Sequence, residues 1–213
     1  GNPLTICDGE SVTLQAAAVS GAGSGTGIYT YVWSPGSTTG QTLAVTPPSP
    51  GSYGYDVTVT EAGSGCITTA STTIVSDQPA TITVGTDLEV CESSSPVGVA
   101  LSGASVGGTA TTGAWSITGG TGTAANTGSL NNTSQTVSPA LVEYTPAASV
   151  FGTVELTLTT DDPSGGCPAV SDTRIVTINE APTVAYTSGG QSQVVCIGDA
   201  ITDVIFTFGG AAT

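Results

Sequence analysis

The sequence predicts an all-β protein made of tandem β-sandwich domains. Three observations carry that prediction: apolar residues that alternate with polar ones, an order of landmarks that runs twice along the chain, and the lack of any convincing amphipathic helical stretch. In 53–60, "YGYDVTVT", Tyr53, Tyr55, Val57 and Val59 share one face, and Asp56, Thr58 and Thr60 share the other. In 152–160, "GTVELTLTT", Val154, Leu156 and Leu158 alternate with Thr153, Glu155, Thr157 and Thr159. A period of two sends successive side chains to opposite faces of a sheet, so one face packs and the other meets water. The abundance of Val and Thr suits strands. Segment 102–136, rich in Gly, Thr and Ser, is expected to form hairpins with long loops.

The landmarks are a Cys, a Trp, an alternating strand, a Gly-Cys turn, a closing strand and a Pro linker. Cys7 is followed by Trp33 in "YVWSPG", and Cys91 by Trp115 in "GAWSITG". The turns are "EAGSGC" with Cys66 and "DDPSGGC" with Cys167, and the linkers are "DQPA" and "NEAP". The order predicts one sandwich over 1–79, a second over 80–181, and over 182–213 the beginning of a third, truncated in this sequence. Trp33 and Trp115 are expected in the cores.

Charge and missing residue types exclude several functions. Among 213 residues there are 16 acids and a single base, Arg174, giving a net charge of −15. Nothing in such a chain neutralises phosphates, which excludes nucleic acid as a partner and opposes docking on anionic lipid. No window is long and apolar enough for direct membrane insertion. With no His and no Lys, neither a Ser-His-Asp triad nor a His-based zinc site can form. A carboxylate-based hydrolase would need two acids in a cleft, usually lined with aromatics, and aromatics are 5% of the chain. The expectation is a protein that is not an enzyme and needs no cofactor.

Because each copy then closes its own bond, the repeat predicts two structural disulfides, Cys7–Cys66 and Cys91–Cys167. Each closes a loop of 60–80 residues and stabilises by about 4 kcal/mol. Cys196 is left unpaired, its partner expected past residue 213. Paired cysteines place the protein outside the cell. A reactive thiol would need a base or a cation beside it, and no C-x-x-C pair offers a zinc site.

The stretch "TTDDPSGGCPAVSD" (159–172) reads first as a hairpin turn. Pro163 fixes φ, Gly165 and Gly166 permit positive φ, Cys167 locks the turn, and Asp161 and Asp162 cap backbone N–H groups. The sharper reading is calcium, a hard cation that several oxygens could hold: Asp161, Asp162 and Asp172 are the candidates. Asp77 and Glu92 at one seam, and Glu180 and Asp199 at the other, are comparable. The EF-hand spacing is absent.

The Cys, Trp, Cys order resembles the immunoglobulin pattern but departs from it, since Tyr55 precedes Cys66 by eleven positions rather than two. "YTPAASVFGTVELTLTTDDPSGGCPAVSDTRIVTI" (144–178) is similar to repeats of very large surface proteins of gliding Bacteroidota. "YVWSPG" with "PGSYGYDVTVT" resembles the PKD-like or SprB-type repeats of the same proteins. The resemblance implies immunoglobulin-like (PKD-like) sandwiches in a secreted adhesin that supports gliding motility. It also implies export by the type IX route and a place on the cell surface, associated with the outer membrane. The implied partners are abiotic or polysaccharide surfaces and neighbouring repeats of the same chain. An accessory module of a secreted protein that binds glycan or ice through a flat Thr-rich face is the alternative.

Overall fold

The computed structural model describes residues 3–17, 27–162, 165–188 and 192–210. Among them the chain forms strands and a single short 3-10 turn. No described helix is long and apolar enough to cross a membrane. The chain divides into two compact units. The first contains Gly1–Thr81, Val106–Thr111 and Thr160–Val170; the second contains Ile82–Ser105, Thr112–Thr159 and Ser171–Thr213. The first unit therefore takes in two segments that the repeat pattern assigns to the second copy.

The first unit is built on β1 (Leu4–Cys7), β2 (Val12–Gln15), β3 (Tyr29–Ser34), β4 (Thr38–Thr39), β5 (Thr42–Val45), β6 (Gly51–Glu61) and β7 (Ile67–Asp77). One sheet runs β1-β7-β6-β3-β4, and β2 pairs with β5 in a second. Ile6, Trp33, Tyr55, Val57 and Ile74 of the large sheet pack with Leu14 and Val45 of the small one. Each such side chain, once buried, stabilises by about 1.5–3 kcal/mol. The alternation in 53–60 is realised: Tyr55 and Val57 are buried while Asp56 faces water. Buried Trp33 donates its indole N–H to the Gly40 carbonyl at 2.8 Å, so its one polar atom is satisfied.

After β8 (Thr81–Thr83), the chain forms β9 (Leu88–Cys91), β10 (Val99–Ala100), β11 (Ser105–Gly107), β12 (Gly113–Gly122), β13 (Ser129–Leu130), β14 (Glu143–Thr145), β15 (Gly152–Thr160) and β16 (Ser171–Asn179). The second unit has a four-stranded sheet, β12-β15-β16-β9, and a three-stranded one, β10-β14-β13. Val154, Leu156 and Leu158 are fully buried, as their alternation predicts, with Trp115, Leu101, Tyr144 and Val176. Trp115 donates its indole N–H to Pro139 at 3.0 Å, and the Tyr144 hydroxyl donates to Thr127 at 3.0 Å. Burial raises the Tyr144 phenol above its ordinary pKa.

Segment 102–136 differs from the expectation of hairpins and long loops. Ten of its residues, Gly113–Gly122, form a continuous strand beside β15. Glycine is depleted in strands because it leaves nothing to pack. Here Trp115 on β12 supplies the packing that the glycines lack.

The two copies share one pairing scheme. β1 runs parallel to β7 from Leu4 opposite Ile74 to Cys7 opposite Asp77. β9 runs parallel to β16 from Leu88 opposite Val176 to Cys91 opposite Asn179. The backbone repeats even past the strand ends: the Asp8 N–H donates to the Asp77 carbonyl at 2.9 Å, and the Glu92 N–H to the Asn179 carbonyl at 2.7 Å. Further along, β17 (Thr183–Ser188) and β18 (Ile205–Gly209) form an antiparallel ribbon, on which Val184, Phe206 and Phe208 are exposed.

Candidate functional site

The register of β1 and β7 decides the cysteine chemistry. Cys7 ends β1 opposite Asp77, whereas Cys66 stands just before Ile67 at the other end of β7. The eleven residues of β7 at about 3.3 Å each hold the two apart by roughly 35 Å. A disulfide needs Cα atoms within about 7 Å. The expected Cys7–Cys66 bond is therefore corrected: Cys7 is joined to Cys167, with 4.5 Å between their Cα atoms. The expected Cys91–Cys167 bond falls with it. Cys91 lies opposite Asn179, at the far end of β16 from the turn that carries Cys167. Cys66, Cys91 and Cys196 are exposed thiols.

Both partners of the bond belong to the first unit, which draws in the 160–170 loop. That loop is seated on the end of β1 and β7 by more than the sulfurs. The Gly166 N–H donates to Asp77 Oδ2 at 2.9 Å, and Cys167 Sγ lies 3.3 Å from the Asp77 carbonyl. A Cβ on Gly166 would land on the Ile6 backbone, and one on Gly165 on the Asp77 carboxylate. The two glycines thus serve close approach. Asp77 and Ile6 as parts of this dock were not legible in the sequence; the Gly-Gly-Cys run was the only signal. Pro163 lies outside the described residues.

Each candidate calcium ligand has its own setting. Asp161 accepts from the Thr111 N–H at 3.0 Å and from the Thr111 hydroxyl at 2.9 Å. Asp172 accepts from the Thr173 N–H at 2.8 Å at the exposed start of β16, and Asp162 is exposed. Of the seam acids, Asp77 holds Gly166, and Glu92 accepts from the Ala181 N–H at 3.1 Å. Among the described residues no three acids or thiols converge as a metal would require. Melting curves in calcium and in chelator test these carboxylates: a shift of several degrees is expected if they hold calcium, and superimposed curves would leave them as surface charge.

The second unit presents a different surface. The outward face of β12, β15 and β16 carries two rows of threonines, with Glu155 and Ile175 between them. Thr157 and Thr153 stand opposite Thr173 and Thr177 on β16. On the β12 side, the hydroxyl of Thr157 is 2.7 Å from that of Thr118, and that of Thr153 is 2.8 Å from that of Thr121. Each row thus sets three threonines side by side across the sheet. Underneath, the chain's one base is hidden. Arg174 is 1% exposed and donates from Nη1 to the Ser102 carbonyl at 3.0 Å, while its Nε has no partner. Burial lowers its pKa, and the nearby Asp87 carboxylate acts in the opposite direction.

No protein-family model matches the chain, and no curated protein sequence does. Among solved structures it is similar to the Sidekick-1 immunoglobulin domains 1-5, at 13% identity and a TM-score of 0.41, covering 87% of this chain and 39% of that one. It is also similar to the fibronectin(III)-like modules of Clostridium thermocellum CbhA, at 11% identity and 0.39, covering 84% and 92%. Human CDH23 EC21-23 is similar at 13% identity and 0.39, covering 86% and 69%. The chain thus spans well under half the length of the Sidekick-1 chain. All three consist of immunoglobulin-type, fibronectin-type or cadherin-type sandwiches. No residue role passes from them to this chain.

Proposed function

We propose that this chain is a repeat segment of a large secreted cell-surface adhesin, serving as a structural stalk and in surface attachment that supports gliding motility. One observation carries the reading most: the Cys7–Cys167 disulfide, which ties a strand of the first sequence copy to the turn of the second. Such a bond needs an oxidising compartment, which supports a place outside the cell. A covalent tie between successive copies suits a part that bears load. The resemblance of 144–178 to repeats of gliding Bacteroidota proteins adds the motility, the type IX export and the outer-membrane association. The acidic surface supports solubility and self-repulsion in a dense coat. The test is a gliding cell whose adhesin lacks these 213 residues. Reduced spreading on polysaccharide gel and on glass is expected, and unchanged spreading would sink the reading.

The threonine rows favour a second reading, an accessory module that meets glycan or ice. A strong glycan-array signal from the isolated chain, lost in Thr157→Lys, would promote it over the stalk.

A further inference from the structure

The dock at the end of β1 and β7 has a counterpart at the end of β9 and β16, and each copy carries a turn that ends in Gly-Cys. We infer that Cys91 is the docking cysteine for a Gly-Cys turn of another copy of the repeat, of the kind that ends in Cys66, so that disulfides run from copy to copy.

The filled instance defines the parts. Cys7 closes a short strand parallel to the last long strand of its copy, and the residue opposite is Asp77. The Asp77 carbonyl receives the Asp8 N–H and faces Cys167 Sγ, and the Asp77 side chain receives the Gly166 N–H. The second copy reproduces this residue by residue. Cys91 closes β9 parallel to β16, Asn179 stands opposite, and the Asn179 carbonyl receives the Glu92 N–H. An Asn side chain carries a carbonyl oxygen that accepts an N–H as a carboxylate does. Cys7 is half-buried under its loop, while Cys91 is exposed.

The complementary part is the first copy's turn. The Glu61 N–H donates to the Cys66 carbonyl at 2.9 Å and the Gly65 N–H to the Glu61 carbonyl at 2.8 Å. The Ser64 hydroxyl also donates to the Glu61 carboxylate. This closed turn presents Cys66 exposed at its end. Gly65 precedes Cys66 as Gly166 precedes Cys167. Gly166 is pressed on Ile6, whereas nothing lies within 4 Å of where a Gly65 Cβ would be. The turn thus shares the Gly-Cys end of the seated loop and has nothing seated beneath it. It is shorter, six residues between Thr60 and Ile67 against eleven between Thr159 and Ser171, and holds Gly65 at a φ of 69°. A contact between two different patches is heterologous and leaves one free patch at each end, so it propagates in a line.

The bond forms by thiol–disulfide exchange. The Cys91 and Cys66 thiols lose two protons and two electrons to a small-molecule disulfide such as oxidised glutathione, which leaves as two thiols. The inference does not depend on what surface the array touches.

The test uses the chain with Cys196→Ser, which removes a bystander thiol. It is held at about millimolar concentration, comparable to that set by a short linker, in oxidised and reduced glutathione. Peptide mapping without reduction is expected to show Cys66–Cys91 links between molecules well above the half share that random pairing gives. Gels without reductant should show an open-ended ladder. Gly65→Asn keeps the left-handed turn but puts a side chain where Val90, which precedes Cys91 as Ile6 precedes Cys7, would leave no room for one. It is expected to cut the Cys66–Cys91 yield severalfold while Cys66 still reacts with a thiol dye. Random proportions of the three links, equal yields from Gly65→Asn, or glutathione adducts alone would each overturn the inference.

Discussion

Cys7→Ser is expected to lower the melting temperature of the oxidised protein by about 10–20 °C. The bond it removes joins residues 160 positions apart. In the chain-entropy picture a closed loop of that length restrains the unfolded chain by about 5 kcal/mol. The loss is felt in a small unit whose core rests largely on Trp33, Tyr55, Ile74 and a few aliphatic side chains. Wild-type protein under reductant should melt with the variant, and Cys66→Ser should melt with the oxidised wild type, because Cys66 is an exposed thiol. Calorimetry on the four samples checks it. Superimposed oxidised and reduced curves, or a Cys66→Ser variant as weak as Cys7→Ser, would restore the pairing within each copy.

Arg174→Ala is expected to destabilise the second unit by about 3–5 kcal/mol. Arg174 is 1% exposed and stands opposite fully buried Leu156 in the sheet register, so its stem fills volume in the core. Truncation leaves a cavity, strips the Ser102 carbonyl of its donor and leaves the Asp87 charge without its nearby cation. Asp87 also accepts from the Ile175 N–H at 2.9 Å, so its own placement is coupled to the same strand. Arg174→Met keeps most of the volume and is expected to cost less, with part of the remaining loss recovered by Asp87→Asn in that background. Urea unfolding followed by tryptophan fluorescence reads the differences, because Trp115 sits in the same core. An Arg174→Ala variant within half a kcal/mol of wild type would mean the cation is held as loosely as a surface one.

Much of the fold was legible because a period of two needs no long-range information. Tyr55, Val57, Val154, Leu156 and Leu158 point inward as their spacing dictates. Trp33 and Trp115 were legible as core for the same reason, being single large apolar residues in alternating strands. The disulfide pairing was not legible, because it depends on which strand ends lie together. A cysteine at the end of β1 could meet either end of β7, depending on whether the pair runs parallel or antiparallel. An antiparallel hairpin-like arrangement would have brought Cys7 toward Cys66; the parallel register places it beside Asp77 instead. β12 was hidden by its own glycines, and the burial of Arg174 by the ordinary rule that a lone charge stays in water. Its alternation with Val176 and Ile178 along β16 placed it on the inward face, where the sequence alone gave no counter-charge to anticipate.

The parallel pairing of β1 with β7, and of β9 with β16, has a mechanical corollary. In each copy the chain enters at the start of the first strand and leaves at the end of the last. With the Cys7–Cys167 bond closed, load passes from Cys7 to Cys167 and the residues between them are shielded. Once it is reduced, tension along the chain drags the two strands past one another lengthwise. Their hydrogen bonds are then strained together and must fail as a group, whereas an antiparallel pair pulled from its open end peels one rung at a time. With the bond reduced, each copy is expected to hold against a steady tug until it yields all at once.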